Sequence, residues 1–361
     1  MSKSMYVHVP FCDSICAYCD FERCKRIPLL SHKWLKRIKE DIEERKNETI
    51  DTLYIGGGTP TSLSCEELDD LLNSLDCFHP IEYTIEANIE NLTHEKLLIL
   101  IKHGINRISL GVQSLNDDLI RIINRHHTSS EIMSKIDEIY DAGITNISVD
   151  MIYGLPTQTL DIWLDDLNKI ANNPKVSHVS IYSLTIEEHS KFGRDNVQKV
   201  GEELDEEMYF QAITCLESHG FKQYEISNFA KDKKESLHNT TYWEFEDFIG
   251  LGCGAYGKEN SIYYHHPFRI HEYLDKSLVT HEEKLEKEDE MFECVMMGLR
   301  MKKGVSVSSF RKRFNVDVLE YYKSAIEKNM KLNNLIIRED YLKCSDQGFG
   351  LLNSILVDFM E

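Results

Sequence analysis

Residues 5–19 read MYVHVPFCDSICAYC. Apolar and polar residues alternate over 5–10, the pattern of a short strand with one face buried. The residues that follow place Cys12, Cys16 and Cys19 in a C-x3-C-x2-C spacing. Thiolates three and four residues apart on a tight loop can converge on one inorganic centre. Three thiolates on a 4Fe–4S cluster leave one iron open to a ligand that is not protein. A zinc site is the second reading, and Cys24 or His8 would then supply the fourth ligand that zinc normally takes. Unpaired core thiols are the third.

Working outward from this stretch, strands are expected at 52–55, 82–86, 107–111, 146–151 and 178–184. Helices are expected at 33–45, 64–75, 93–104, up to 124, 129–142, 160–172 and up to 219. Ser64 and Glu67 form a capping box for the second of these. Gly104, Gly143 and Gly220 follow helix ends, as C-terminal glycines do. Six strands thus alternate with helices at spacings of about 30 residues, which parallel strands need for their crossover helices. The fold class is α/β, a parallel (β/α)6 partial barrel. An acidic insertion covers 187–207. Beyond 225 the composition turns aromatic and glycine-rich. Residues 282–361 read as helices with one short β pair at 335–338 and 341–344, a smaller, mostly helical, winged-helix-like domain. The expected division is 1–228, 229–281 and 282–361.

Composition narrows the function classes. With 361 residues and 42% hydrophobic content, the chain can build an ordinary core. No apolar run reaches ~18 residues, so no membrane span is expected, and residues 1–11 lack a signal-peptide pattern. The net charge of −20 repels phosphate backbones and argues against nucleic acid as a partner. Residues 301–361 carry ten Lys/Arg and eight Asp/Glu, about +2, which gives little support to DNA binding by the tail. Six cysteines scattered singly suit a reducing, cytoplasmic setting.

The segment Cys12-Asp13-Ser14-Ile15-Cys16-Ala17-Tyr18-Cys19 resembles the signature of radical S-adenosylmethionine (SAM) enzymes. In that family SAM caps the open iron, and an electron from the cluster cleaves it to a 5′-deoxyadenosyl radical. The likeness runs on through Tyr6–Cys12, Gly56–Pro60 (GGGTP), Glu86-Ala87-Asn88, Gly111–Ser114, Asn124–His127, Asp150–Pro156, Tyr224–Phe229, His238–Trp243 (HNTTYW), Gly250–Ala255 and Gly298–Arg300. Together these resemble the oxygen-independent coproporphyrinogen oxidases and their relatives, the HemW haem chaperones. The short start, the Cys19-Asp20-Phe21 tripeptide and the intact HNxxYW block resemble the chaperone branch. The oxidases have a longer N-terminal extension and a further cysteine two residues after the third. Cys24 is displaced from that position. The family glycine before Arg125 is Asn124 here, and Asn tolerates left-handed backbone angles. Glu187 is followed by Glu188, His189 and Ser190 where the chaperones often have Pro-Gly-Thr.

The residues themselves allow plain readings beside those roles. GGGTP is a turn that lets backbone groups approach a small ligand. The resemblance implies that Gly57, Gly58 and Thr59 touch the methionyl amino group of SAM. Glu86, Gln113 and Asp150 stand at strand C-termini, the rim that carries sites in β/α barrels; solvated strand ends are the plain reading. Arg125 could pair with a carboxylate. The resemblance places these four in the SAM pocket, Tyr18 near the adenine, and Tyr6 and Ser183 on its edge. His238, Asn239, Tyr242 and Trp243 read alone as an aromatic turn; the resemblance links them to haem, with His265, His266 and His271 as other iron ligands. The function implied is a haem chaperone with a 4Fe–4S cluster and SAM, passing haem to an acceptor haemoprotein, such as one of the respiratory chain. Coproporphyrinogen III oxidation and a radical SAM haem methyltransferase or haem-degrading enzyme stay open as alternatives. So do SAM cleavage in turnover, the electron donor, peripheral membrane contact, and monomer against homodimer.

Overall fold

The strands carry apolar residues at every second position, and a strand's side chains alternate between faces. In the computed structural model, which describes residues 3–20, 23–275 and 281–360, that alternation separates the helix-packed outside of a sheet from its lumen. Phe21 of the tripeptide noted above lies outside the described residues. Six strands lie side by side in chain order, all parallel: β1 (Lys3–Val9), β2 (Ile50–Gly57), β3 (Glu82–Asn88), β4 (Arg107–Gln113), β5 (Asn146–Tyr153) and β6 (His178–Ser183). This is the partial barrel that the spacing implies. A seventh parallel strand, β7 (Phe248–Leu251), flanks β1. Antiparallel strands then extend both edges, giving an open sheet of twelve. The aromatic, glycine-rich stretch therefore supplies sheet, with Tyr256–Glu259 and Ile262–His265 continuing beyond β7.

Helices α1 (Pro28–Arg45), α2 (Cys65–Leu75), α3 (His94–Lys102), α4 (Asp117–Ile122), α5 (Ser129–Asp141), α6 (Leu160–Ala171) and α7 (Glu202–Ser218) follow their strands. Ser64 and Glu67 form the expected reciprocal cap of α2. α1 begins at Pro28, five residues earlier than its charge pattern suggests, because proline suits the first helical position. Along β4, Ile108, Leu110 and Val112 are fully buried toward the helices, while Arg107, Ser109, Gly111 and Gln113 face the lumen. In β1, Met5, Val7 and Val9 are likewise outward and fully buried. Each such side chain contributes roughly 1.5–3 kcal/mol by leaving water. Parallel strands covered on both faces usually read as continuous apolar runs. These do not, so the lumen is polar and suited to surround a ligand.

One end of the lumen is closed by α8 (Leu237–Trp243). At the foot of β3, the Glu82 carboxylate accepts from Leu237 N and His238 N, both at 2.9 Å. A carboxylate there satisfies orphan amides and the positive helix end together. At the other end the chain leaves β1 into the cysteine loop.

Residues 285–360 build a second core around Met291, Val295, Leu299, Phe310, Ile326 and Leu342. Its hairpin, Leu335–Arg338 with Tyr341–Cys344, has the expected bounds, and Val305–Ser306 adds a third strand. Among the described residues no helix is long and apolar enough to cross a membrane. The Glu82 cap makes a test of the plug: Glu82→Gln should lower urea stability by about 1–3 kcal/mol. Glu44→Gln, on the exposed face of α1, should change it by less than about 0.5 kcal/mol.

Candidate functional site

A cavity of about 510 Å3 runs from the rim at the strands' C-terminal ends down into the lumen, and Cys12, Cys16 and Cys19 all line it, whereas Cys24 does not. The loop that carries them is tied down along its length. Phe11–Cys12 pairs in parallel with Cys24–Lys25. Ala17 N donates to Ile123 O at 3.0 Å, and Phe192 N donates to Ala17 O at 2.9 Å. Asn124 takes the left-handed conformation, φ 62°, that the family glycine would take, and its amide donates to Ile15 O at 2.8 Å. Burial, chiefly, pushes the Cys12 thiol up to about 11, although the Thr59 hydroxyl at 3.5 Å opposes this. A metal binding there must displace that proton. Among the described residues no three His, Cys, Asp or Glu side chains lie close enough to hold a single ion. An iron–sulfur cube instead takes its thiolates one per iron.

Glycines let polar groups crowd the rim. A Cβ on Gly58 would lie 2.7 Å from Phe11 O and 3.0 Å from Cys12 Sγ. A Cβ on Gly111 would lie 2.9 Å from Asn88 Oδ1, 3.0 Å from Gln113 Nε2 and 3.3 Å from Arg125 Nη2. Gln113 itself has φ 64°, where the register between β4 and β5 shifts, and among the described residues its Oε1 has no partner. The Nε of Arg125 has none either. Burial works against the Arg125 charge, but Cys16, Tyr18 and Glu90 hold it. Burial also opposes the ionisation of Glu90, yet His127 at 2.9 Å and Arg125 bring its pKa down to about 2. Buried polar groups are nearly always bonded, so these open atoms in a glycine-lined cradle fit a polar, charged ligand.

Deeper in, Tyr54 OH donates to Glu86 Oε1 at 2.8 Å and Gly57 N to Oε2 at 3.1 Å. Burial pushes Glu86 up to about 7, and Asp150 adds repulsion. Asp150, also raised by burial, accepts from Ser109 Oγ at 2.8 Å. The structure therefore brings Tyr18, Gly57, Gly58, Thr59, Glu86, Gln113, Arg125, Asp150 and Ser183 to one cavity. Ser183 sits at its edge and donates to Asp205 of α7 at 2.9 Å. Tyr6 does not line it; its phenol meets His8 Nδ1 at 3.0 Å. Arg107, Asn88, Ser109, Ser180 and Tyr182 also line it and were missed. The signal was present, since each stands at an inward position of an alternating strand.

The HNxxYW residues do not share one space. His238 is 1% exposed, stacked on Tyr54, and both ring nitrogens are bonded, to Thr52 Oγ1 at 2.9 Å and Tyr242 OH at 2.7 Å. Burial, with Arg107, lowers its pKa to about 3. Neither nitrogen is open to an iron in this conformation. Asn239 lines the lumen cavity, and Trp243 lines a second one against the C-terminal domain. His265 differs: Nδ1 meets His266 O at 3.2 Å, Nε2 has no partner among the described residues, and Phe268 stacks on the ring at 4.6 Å.

Comparison with known proteins adds to this geometry. Residues 6–170 match the model of the Radical SAM superfamily, and 285–351 that of the HemN C-terminal domain. The chain is 34% identical to the haem chaperone HemW of Lactococcus lactis subsp. lactis, over 99% of this chain and 97% of that one. It is also 34% identical to HemW of Bacillus subtilis, over 99% of both. The coproporphyrinogen III oxidase HemN of Escherichia coli has the same fold, with a TM-score of 0.86 at 20% identity over 99% of this chain and 90% of that one.

The Glu86 environment predicts a pH effect. A carboxyl raised from 4.5 to about 7 keeps a proton that the unfolded chain releases. Its contribution is full below pH 4.5 and is lost as pH rises through 7. Relative to Glu86→Gln, the wild type should lose on the order of 2–3 kcal/mol between those pH values in guanidinium unfolding. Parallel curves would contradict the assignment.

Proposed function

Because the chain belongs to the HemW haem-chaperone family of the radical SAM superfamily, we propose that it binds haem and passes it intact to an acceptor haemoprotein. The family implies a 4Fe–4S cluster and SAM. Cys12, Cys16 and Cys19 would hold the cluster, which when bound supplies an electron and an open iron for the nucleotide. Gly57, Gly58 and Thr59 would meet the methionyl amino group, Arg125 the carboxylate, and Tyr18 the adenine. Glu86, Gln113 and Asp150 would take the remaining polar groups, with Ser183 and Tyr6 supporting the edge. The observation that carries this reading is the convergence of three cysteines with the partnerless Gln113 and Arg125 atoms on one cavity.

Within the HNxxYW helix, His238 and Tyr242 pack the foot of the lumen, Asn239 faces the lumen cavity, and Trp243 faces the C-terminal domain. The iron ligand proposed is His265. A ring nitrogen held by a carbonyl, with the other open, is the usual arrangement of a ligating histidine. Tyr256, 52% exposed, and Phe268 offer a porphyrin flat apolar contact. Residues 1–228 then serve as the cofactor barrel, 229–281 as the segment that seals it and meets haem, and 282–361 as a C-terminal domain.

Haem titration of the anaerobically reconstituted protein, followed by addition of apomyoglobin, tests this. One haem per chain should bind and reappear intact in the acceptor, and His265→Ala should weaken binding about tenfold or more. No binding by the wild type, haem consumed with SAM, or conversion of coproporphyrinogen would defeat the chaperone reading. Unchanged affinity in His265→Ala would remove only the ligand assignment.

A further inference from the structure

We propose that Arg107 anchors a carboxylate-binding subsite at the foot of the lumen, separate from the nucleotide site at the rim. Arg107 is the first residue of β4, is 1% exposed, and lines the cavity. Among the described residues its Nε has no partner and no carboxylate lies within ion-pair distance of its guanidinium. Asp150, whose Oδ1 also has no partner among the described residues, accepts from Ser109 and acts on Arg107 only through space. Burying a charge is costly unless it is paired. Arginine cannot escape that cost by losing its proton. A buried guanidinium with nothing to bind therefore calls for an anion that is not part of the chain.

The shape of the space says which anion. A guanidinium presents its N–H groups as a fork that matches a carboxylate with two parallel bonds. Tyr182 lines the same cavity and offers its hydroxyl to a remaining lone pair, whereas the Ser109 hydroxyl is already given to Asp150. Tyr182 is 44% exposed although it stands on β6, because its ring faces the open cavity. Along β4, Arg107 lies six residues before Gln113, roughly 20 Å of strand. The rim has its own guanidinium in Arg125, beside Cys16 and Tyr18. A carboxylate held at the rim is thus not the one that Arg107 would meet. The lumen has a cationic fork at each end, and the lower one fits a carboxylate carried by a second molecule.

The test uses anaerobically reconstituted wild type, Arg107→Met and Arg107→Lys, with sodium propionate and neutral propionamide as probes and sodium chloride matching ionic strength. Propionate should raise the wild-type melting temperature in a saturable way, and propionamide should not. Arg107→Met should melt no lower than wild type without propionate, since it removes an unpaired charge, and should not respond to propionate. Arg107→Lys should keep a reduced response. SAM affinity in Arg107→Met should stay within about twofold of wild type. A wild type indifferent to propionate would overturn the proposal, as would an Arg107→Met variant that melts lower and still responds. A tenfold loss of SAM affinity in Arg107→Met would also overturn it, because the anion would then be the nucleotide's own carboxylate.

Discussion

A side chain on a strand can face only one of two ways, and in this molecule that choice separates two environments. Outward positions such as Ile108, Leu110 and Val112 hold the sheet to its helices. Inward positions such as Tyr54, Glu86, Ser109 and Asp150 line the lumen. A slip of one residue in any strand would exchange the two sets, burying carboxylates against helices and filling the lumen with aliphatic side chains. The polar interior and the apolar shell are therefore one constraint, and the site follows from it.

The two ends of the lumen are finished differently. At the foot, the Glu82 carboxylate receives the first amides of α8, and His238 is enclosed between Thr52 and Tyr242. At the rim, glycines remove side chains where Asn88, Gln113 and Arg125 approach one another. These contacts close the foot beneath Arg107, whereas the rim keeps donors and acceptors open. A closed base beneath a reactive rim is what a container for a small, charged cofactor requires.

Much of this could be read from the residues. Strand and helix order came from spacing, the α2 cap from Ser64 and Glu67, and the C-terminal hairpin from its local pattern. Asn124 in place of glycine pointed to a left-handed turn, which it makes. What escaped was long-range. Phe248–Leu251 is too short to show a period, and its place beside β1 is decided by pairing across most of the chain. His238 looked available because a motif records residue types and not their partners; Thr52, which occupies one of its nitrogens, lies 186 residues away. Arg107 looked like an ordinary strand start, and its lack of partners is visible only when the neighbouring strands are in place. Cys24 stands close to the cluster cysteines in sequence, yet the pairing of its strand with Phe11–Cys12 keeps it off the cavity wall.

Three sulfurs and an open cradle define the account, and their joint action is directly observable. Electron paramagnetic resonance of the reconstituted, reduced protein, recorded before and after adding SAM, should show a cubane signal whose line shape changes as the nucleotide takes the vacant iron. A protein that assembles no such cluster, or one whose signal is indifferent to SAM, would contradict it.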